Sequence, residues 1–260
     1  MDDNVIMEII LESEQLRKEF GALVAVDNVS IKIRRNTIHS IIGPNGAGKT
    51  TFFNLLTNNI EPNAGRVLFK GREITGMPLH RIAHLGIGRS FQITNIFPNL
   101  TVLENVRLAC QALGKDNFYF FRHARRFTQY ETRAWQVLQQ VGLTERAMVP
   151  ARVLPHGDQR KLEVGMILAP DPEMLLLDEP TSGMGAEFVP EMIELIRRIH
   201  RSGQKTILLV EHNMSVVMSI SDYITVMHQG QILAEGTPAE IAANKTVQSA
   251  YLGSLKWRTA

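Results

Sequence analysis

LPHGDQRKLEVGMILAPDPEMLLLDEP, residues Leu154–Pro180, sets a proline- and glycine-bearing helix start ahead of an apolar strand that ends in two acids. Leu154–Ala169 reads as a helix. Met174–Asp178 reads as a strand, apolar throughout until Asp178, as expected where a parallel sheet is covered on both faces. It carries Asp178 and Glu179 to its C-terminal end, the edge at which ligands bind in such sheets. An acidic strand end is common, and GPNGAGKT at Gly43–Thr50 gives this one its meaning. That segment lies between a short buried strand, Ile38–Ile42, and a helix, Gly48–Asn58, and fits the phosphate-loop pattern G-x-x-x-x-G-K-[ST]. Gly43, Gly46 and Gly48, with Pro44, Asn45 and Ala47 between them, let backbone N–H groups turn toward a phosphate chain, and the helix start adds positive potential. Lys49 is expected to reach β- and γ-phosphates, Thr50 to ligate Mg²⁺ and Thr51 to donate to an α-phosphate. Asp178 is expected to hold Mg²⁺ directly or through water, and Glu179 to polarise an attacking water.

Outward from these motifs, Ile9–Phe20 and Val29–Ile33 alternate as strands of an antiparallel start, Arg66–Leu68 as a further strand, and Pro78–Leu85 as a short helix. Thr101 with Glu104 three residues on predicts a capping box, with Val102, Val106, Ala109 and Leu113 on one helix face. Gln129–Val141 is a further helix. No strand is expected between about Phe91 and Leu168. Strands Thr206–Val210 and Tyr223–His228, the latter in a hairpin with Gln231–Glu235, alternate with helices Glu187–Arg201, Asn213–Ile220 and Pro238–Ala243. The expected organisation is one domain over 1–260, with an α/β core at about 1–90 and 169–245, a helical subdomain at about 91–168 and a tail at about 246–260.

Composition narrows the function classes. A formal charge of +2 gives no strong pull toward nucleic acid or lipid. A single cysteine, Cys110, excludes an intrachain disulfide framework and fits a reducing compartment. The N-terminus is acidic and its apolar run is too short for a signal peptide. No stretch approaches the roughly 20 apolar residues of a membrane helix, so a membrane role is expected to come through a partner.

The ordered set of motifs, from the phosphate loop through LPHGD and LLLDEPTSG to a histidine after an apolar strand, resembles the ATP-binding cassette (ABC) family over nearly the whole chain. The resemblance implies a P-loop NTPase fold with a mixed sheet core, an antiparallel β subdomain and an inserted helical subdomain. It also implies an ATPase whose domains dimerise head to tail, each signature motif covering the ATP on the other protomer's phosphate loop. Leu154, Pro155, His156, Gly157 and Asp158 occupy the signature position, which implies that Gly157 and the following helix start face a γ-phosphate in trans. Phe20 stands where the family stacks an aromatic on adenine. Gln92, after Arg89, Ser90 and Phe91, stands where a glutamine senses Mg²⁺ or the attacking water and relays to a membrane partner. His212 matches the histidine that contacts the γ-phosphate. Ser182–Gly185 occupies the loop that crosses the dimer and lacks its usual aspartate.

The family's commonest signature begins Leu-Ser-Gly-Gly-Gln. Pro155, His156 and Asp158 replace the serine, the first glycine and the glutamine. This is either a degenerate, slow site or the mark of a subgroup, and intact Lys49, Asp178, Glu179 and His212 favour the second. LPHGDQRKLE resembles the variant in ATPases of branched-chain amino acid importers, as do FGALVAVDNVS, GRSFQITNIFPNLTVLENV, TILLVEHNMSVVMSISDYITVMHQGQILAEGTP and AYLG. The resemblance implies ATP and Mg²⁺ and an importer of hydrophobic amino acids, urea or short amides. It further implies permease subunits, a second related ATPase chain, a periplasmic solute-binding protein and a place on the cytoplasmic face of a bacterial inner membrane. Phe118–Phe127 reads as a solvated basic helix with docked aromatics, or as a surface for the permease or lipid headgroups. Two other readings stay open. A soluble cassette ATPase acting on nucleic acid or ribosomes is expected to carry a tandem cassette, a coiled-coil insertion or a basic extension, none of which is present. A regulator would bind ATP without turning it over.

Overall fold

The computed structural model describes residues 8–90, 96–112, 114 and 128–251. The expectations for Gln92, Leu113 and Phe118–Phe127, and the end of AYLG, lie outside those residues. Two compact units form, one from residues up to Ile82 together with those from Thr206 onward, the other from Ala83–Lys205.

The first unit opens with a hairpin of β1 (Ile9–Phe20) and β2 (Leu23–Arg34). β2 starts six residues before the alternation in Val29–Ile33 suggests, because its first residues pair with β1 while Leu23 and Val24 stay exposed. β3 (Ile38–Ile42) is buried throughout and leads through the phosphate loop into α1 (Lys49–Leu56). β4 (Ala64–Phe69) pairs antiparallel with β1 and with a two-residue β5 (Arg72–Glu73), and α2 (Leu79–His84) follows.

The second unit carries β6 (Ile87–Arg89), α3 (Val102–Gln111), α4 (Thr128–Val141) and α5 (His156–Leu168). It continues through β7 (Met174–Asp178), parallel to β6, and α6 (Val189–Gly203). Val137 and Val141 of α4 lie against Gly165 of α5, where an added Cβ would come 3.4 Å from each. Only half of the box expected at the start of α3 forms. The Thr101 side chain accepts the Glu104 N–H at 3.1 Å, but the Glu104 carboxylate pairs with Arg107.

The chain then returns to the first unit as β8 (Thr206–Val210), α7 (Met214–Ile220), β9 (Tyr223–His228), β10 (Gln231–Gly236), α8 (Pro238–Ala243) and α9 (Lys245–Tyr251). β3 is parallel to both β8 and β9, and β10 is antiparallel to β9. A full capping box forms at Thr237 and Glu240. α9 carries ordered structure past the tail boundary expected at residue 246. Its Val247 and Tyr251 join Ile241, Ile42, Val217, Ile224 and Val226 in one buried cluster.

β3 also buries a polar relay. Thr225 donates to Glu235 at 2.7 Å, so its oxygen accepts from His39 Nε2 at 2.8 Å, which fixes the proton on Nε2 of a neutral ring. Burial, with help from Arg34, lowers the His39 pKa to about 4.

Candidate nucleotide site

In the first unit the phosphate loop is shaped by glycine. Gly48 caps α1 with φ of +95°, and a Cβ there would lie 2.4 Å from the Ala25 carbonyl oxygen. A Cβ on Gly43 would lie 2.4 Å from the Met227 oxygen. No other residue fits either position. Lys49 is buried, and its ammonium donates back to the carbonyls of Gly43 (2.7 Å) and Pro44 (3.1 Å). The hydroxyl-bearing Thr50 is exposed on the first turn of α1, and Thr51 follows it half-buried. The loop thus sets a buried ammonium beside a helix start, a combination suited to holding a polyphosphate.

Phe20 ends β1 and is 51 % exposed, so it is not a strand core residue. Lys18 lies over the ring at 5.4 Å. His212 follows β8 with its side chain 57 % exposed. The residue before it is the reverse: Glu211 has no exposure, and its Oε2 accepts the N–H groups of His212 (3.0 Å) and Asn213 (3.1 Å). Asn213 in turn caps α7.

The second unit holds the acids. Asp178 ends β7 with 3 % exposure. Its N–H donates to Ser90 Oγ at 2.8 Å, and the Ser90 N–H donates to the Leu176 carbonyl at 2.8 Å, so the chain just after β6 sets the strand end. Burial lowers the pKa of neighbouring Arg89 and the charge of Asp178 opposes that shift. Glu179 is half-buried with φ of +46°. A left-handed backbone at a side chain of this length is strained, and such strain persists where the surroundings impose it, often at functional positions.

The signature stretch sits in the same unit. Leu154 is buried and Pro155 caps α5, whose first residue is His156. The His156 ring lies along Gly183, where a Cβ would come 3.1 Å from Cε1. Gly157 has ordinary room on its own chain: an added Cβ would come 3.6 Å from Met184 and 3.8 Å from Phe188. Asp158 is held by Lys161 (3.1 Å) and Arg146 (3.0 Å), and Lys161 also binds Glu191 at 2.6 Å. The carboxylate that breaks the common signature is therefore neutralised by cations of its own unit. Lys161 stands three residues after Asp158, a pairing readable from sequence. Arg146 and Glu191 carry no such signal, because tertiary packing brings them in. Ser90 and Glu211 were also missed, since a serine after a strand and a glutamate before a loop look ordinary.

The family model described as ABC transporter matches residues 26–182, and a second, described as branched-chain amino acid ATP-binding cassette transporter, matches residues 231–254. The high-affinity branched-chain amino acid transport ATP-binding protein LivG of Salmonella typhimurium is 41% identical over 251 residues, covering 94% of this chain and 98% of LivG. Among solved structures, the ADP conformation of MJ1267, an ATP-binding cassette of an ABC transporter, superposes with a TM-score of 0.83 at 30% identity over 95% of this chain and 99% of that one. The dimeric post-hydrolysis cassette MJ0796, bound to ADP and Pi, gives a TM-score of 0.74 at 25% identity over 88% and 99%. No helix among the described residues is long and apolar enough to cross a membrane. The phosphate loop, the acids after β7, the signature at α5 and the two family models agree, and the chain belongs to the ABC transporter family, in its branched-chain amino acid transport ATP-binding branch.

Proposed function

We propose that the chain is the ATP-hydrolysing subunit of an importer for branched-chain or other hydrophobic amino acids, with urea and short amides as related candidates. The observation that carries the catalytic part is Glu179, held at positive φ directly after a buried Asp178. Its backbone carries strain of a kind often found at functional positions, and a carboxylate there is suited to orient and deprotonate a water. Lys49 and the loop amides hold the phosphates, Phe20 stacks on adenine, Thr51 donates to the α-phosphate and His212 contacts the γ-phosphate. Mg²⁺, when bound, neutralises phosphate charge. Thr50, Asp178 and Gln92 are the residues that would hold it, and a hydroxyl, a carboxylate and a side-chain amide are all oxygen donors, the type Mg²⁺ takes.

Gly157 supports a site completed by a second protomer. Its own chain leaves room for a side chain, and glycine in a helix costs about 0.5–1 kcal/mol relative to alanine, so the need for glycine arises outside this chain. The dimeric structure of the MJ0796 cassette supports a pairing of two such chains. With Pro155 lacking a hydroxyl, α5 would serve the partner's γ-phosphate through backbone N–H groups and the helix start. The partner is a related ATPase chain. Two ATP molecules close the pair, closure pulls on permease subunits at the cytoplasmic face of the membrane, and loss of the γ-phosphate contacts reopens it. A periplasmic binding protein supplies the solute, and nucleic acid has no part. The name of LivG and the model matched at residues 231–254 support the substrate class.

Replacement of Glu179 by glutamine should lower steady-state phosphate release by about 100-fold or more while ATP binding is retained. Unchanged turnover would show the assignment to be wrong. Recovery of the protein with ribosomes or DNA, not with membranes, would refute the importer reading.

A further inference from the structure

Glu211 is the one fully buried acid among the described residues, and it immediately precedes His212. A buried carboxylate is costly unless hydrogen-bonded. Here one oxygen, Oε2, accepts the N–H groups of both His212 (3.0 Å) and Asn213 (3.1 Å), and His212 Nδ1 lies 3.9 Å from the same oxygen. Its own N–H donates to the carbonyl of Ile41 on β3 at 3.4 Å. β3 is the strand that runs into the phosphate loop. The buried side chain thus holds the turn that leaves β8, the residue's backbone N–H ties that turn to the phosphate-loop strand, and the histidine side chain projects, 57 % exposed. A neutral apolar residue would end a buried strand at less cost, but it would leave the two N–H groups of the turn without this acceptor.

We propose that Glu211 is the positioning residue for His212. It fixes the backbone from which the ring meets the γ-phosphate, and it does so as a hydrogen-bond acceptor for two consecutive N–H groups. The proposal rests on the reading of His212 as the γ-phosphate contact.

A double-mutant cycle on ATP turnover by the complete transporter tests it, with thermal midpoint and binding of a fluorescent ATP analogue measured beside each rate. His212→Ala should lower kcat by about 100-fold, as loss of a transition-state contact does. Glu211→Ala should lower kcat by about 10-fold or more with KM for ATP within about two-fold, and the double variant should be no slower than His212→Ala, because residues that act as a unit are not additive. Glu211→Gln keeps an acceptor oxygen and should recover most of the loss. Should Glu211→Ala fail to fold, Glu211→Asp, which draws the acceptor back by one methylene, enters the same cycle. A double variant slowed by the product of the two single effects would overturn the proposal, and so would Glu211→Gln as slow as Glu211→Ala. Normal turnover in Glu211→Ala beside a slow His212→Ala would overturn it alone. Normal turnover in His212→Ala would remove the assignment of His212 itself, and the proposal with it.

Discussion

At Glu179 stability and chemistry pull apart. The backbone stands at φ of +46°, where only glycine is at ease. Glu179→Gly should therefore be more stable than Glu179→Ala by about 1 kcal/mol, read from denaturant midpoints, since alanine keeps the strain and glycine removes it. Both should be inactive. A glycine variant no more stable than the alanine variant would mean that the turn imposes no strain. The candidate site residues were legible to different degrees. Lys49, Asp178 and Glu179 could be read directly, because a phosphate loop and an acidic strand end are contiguous patterns whose chemistry is local. Glu211 could not, since its meaning depends on burial and on which N–H groups its oxygen meets. Phe20 could be read as an adenine-stacking aromatic or as a strand core residue, and its exposure removes the second.

Among the elements, α5 is the most telling. Its signature departs from the common pattern at three positions, and one departure is accounted for within its own unit. Asp158 is compensated by Lys161 and Arg146, so the first turn presents no free acid. The chain's own packing does not require Gly157, and on the proposed reading it is kept for the partner's nucleotide. Gly157→Ala should leave the thermal midpoint unchanged or raise it, by up to about 1 kcal/mol of stability, while turnover of the assembled transporter falls. Wild-type turnover in that variant would remove the trans role of α5. Element boundaries were less legible than element types. β5 and β6 are two and three residues long and exist only as partners of β4 and β7, which no local pattern announces. α9 did leave a trace: Val247 and Tyr251 are four residues apart and fall on one helical face.

For the whole molecule, the two units divide the chemistry. The unit with β3 and α1 carries the phosphate loop, Phe20 and His212, and the unit with β7 and α5 carries Asp178, Glu179 and the LPHGD stretch. The order of motifs along the chain was readable because each is a short contiguous stretch of sequence. The division into units at Ile82 and Thr206 was not, because it depends on packing between distant segments. The most direct measurement is ATP-driven solute uptake by proteoliposomes holding this chain, its partner ATPase, the permease subunits and the binding protein. The account predicts leucine uptake that requires ATP on the side of this chain and stops with Glu179→Gln. Uptake that proceeds without ATP, or at the same rate with Glu179→Gln, would contradict it.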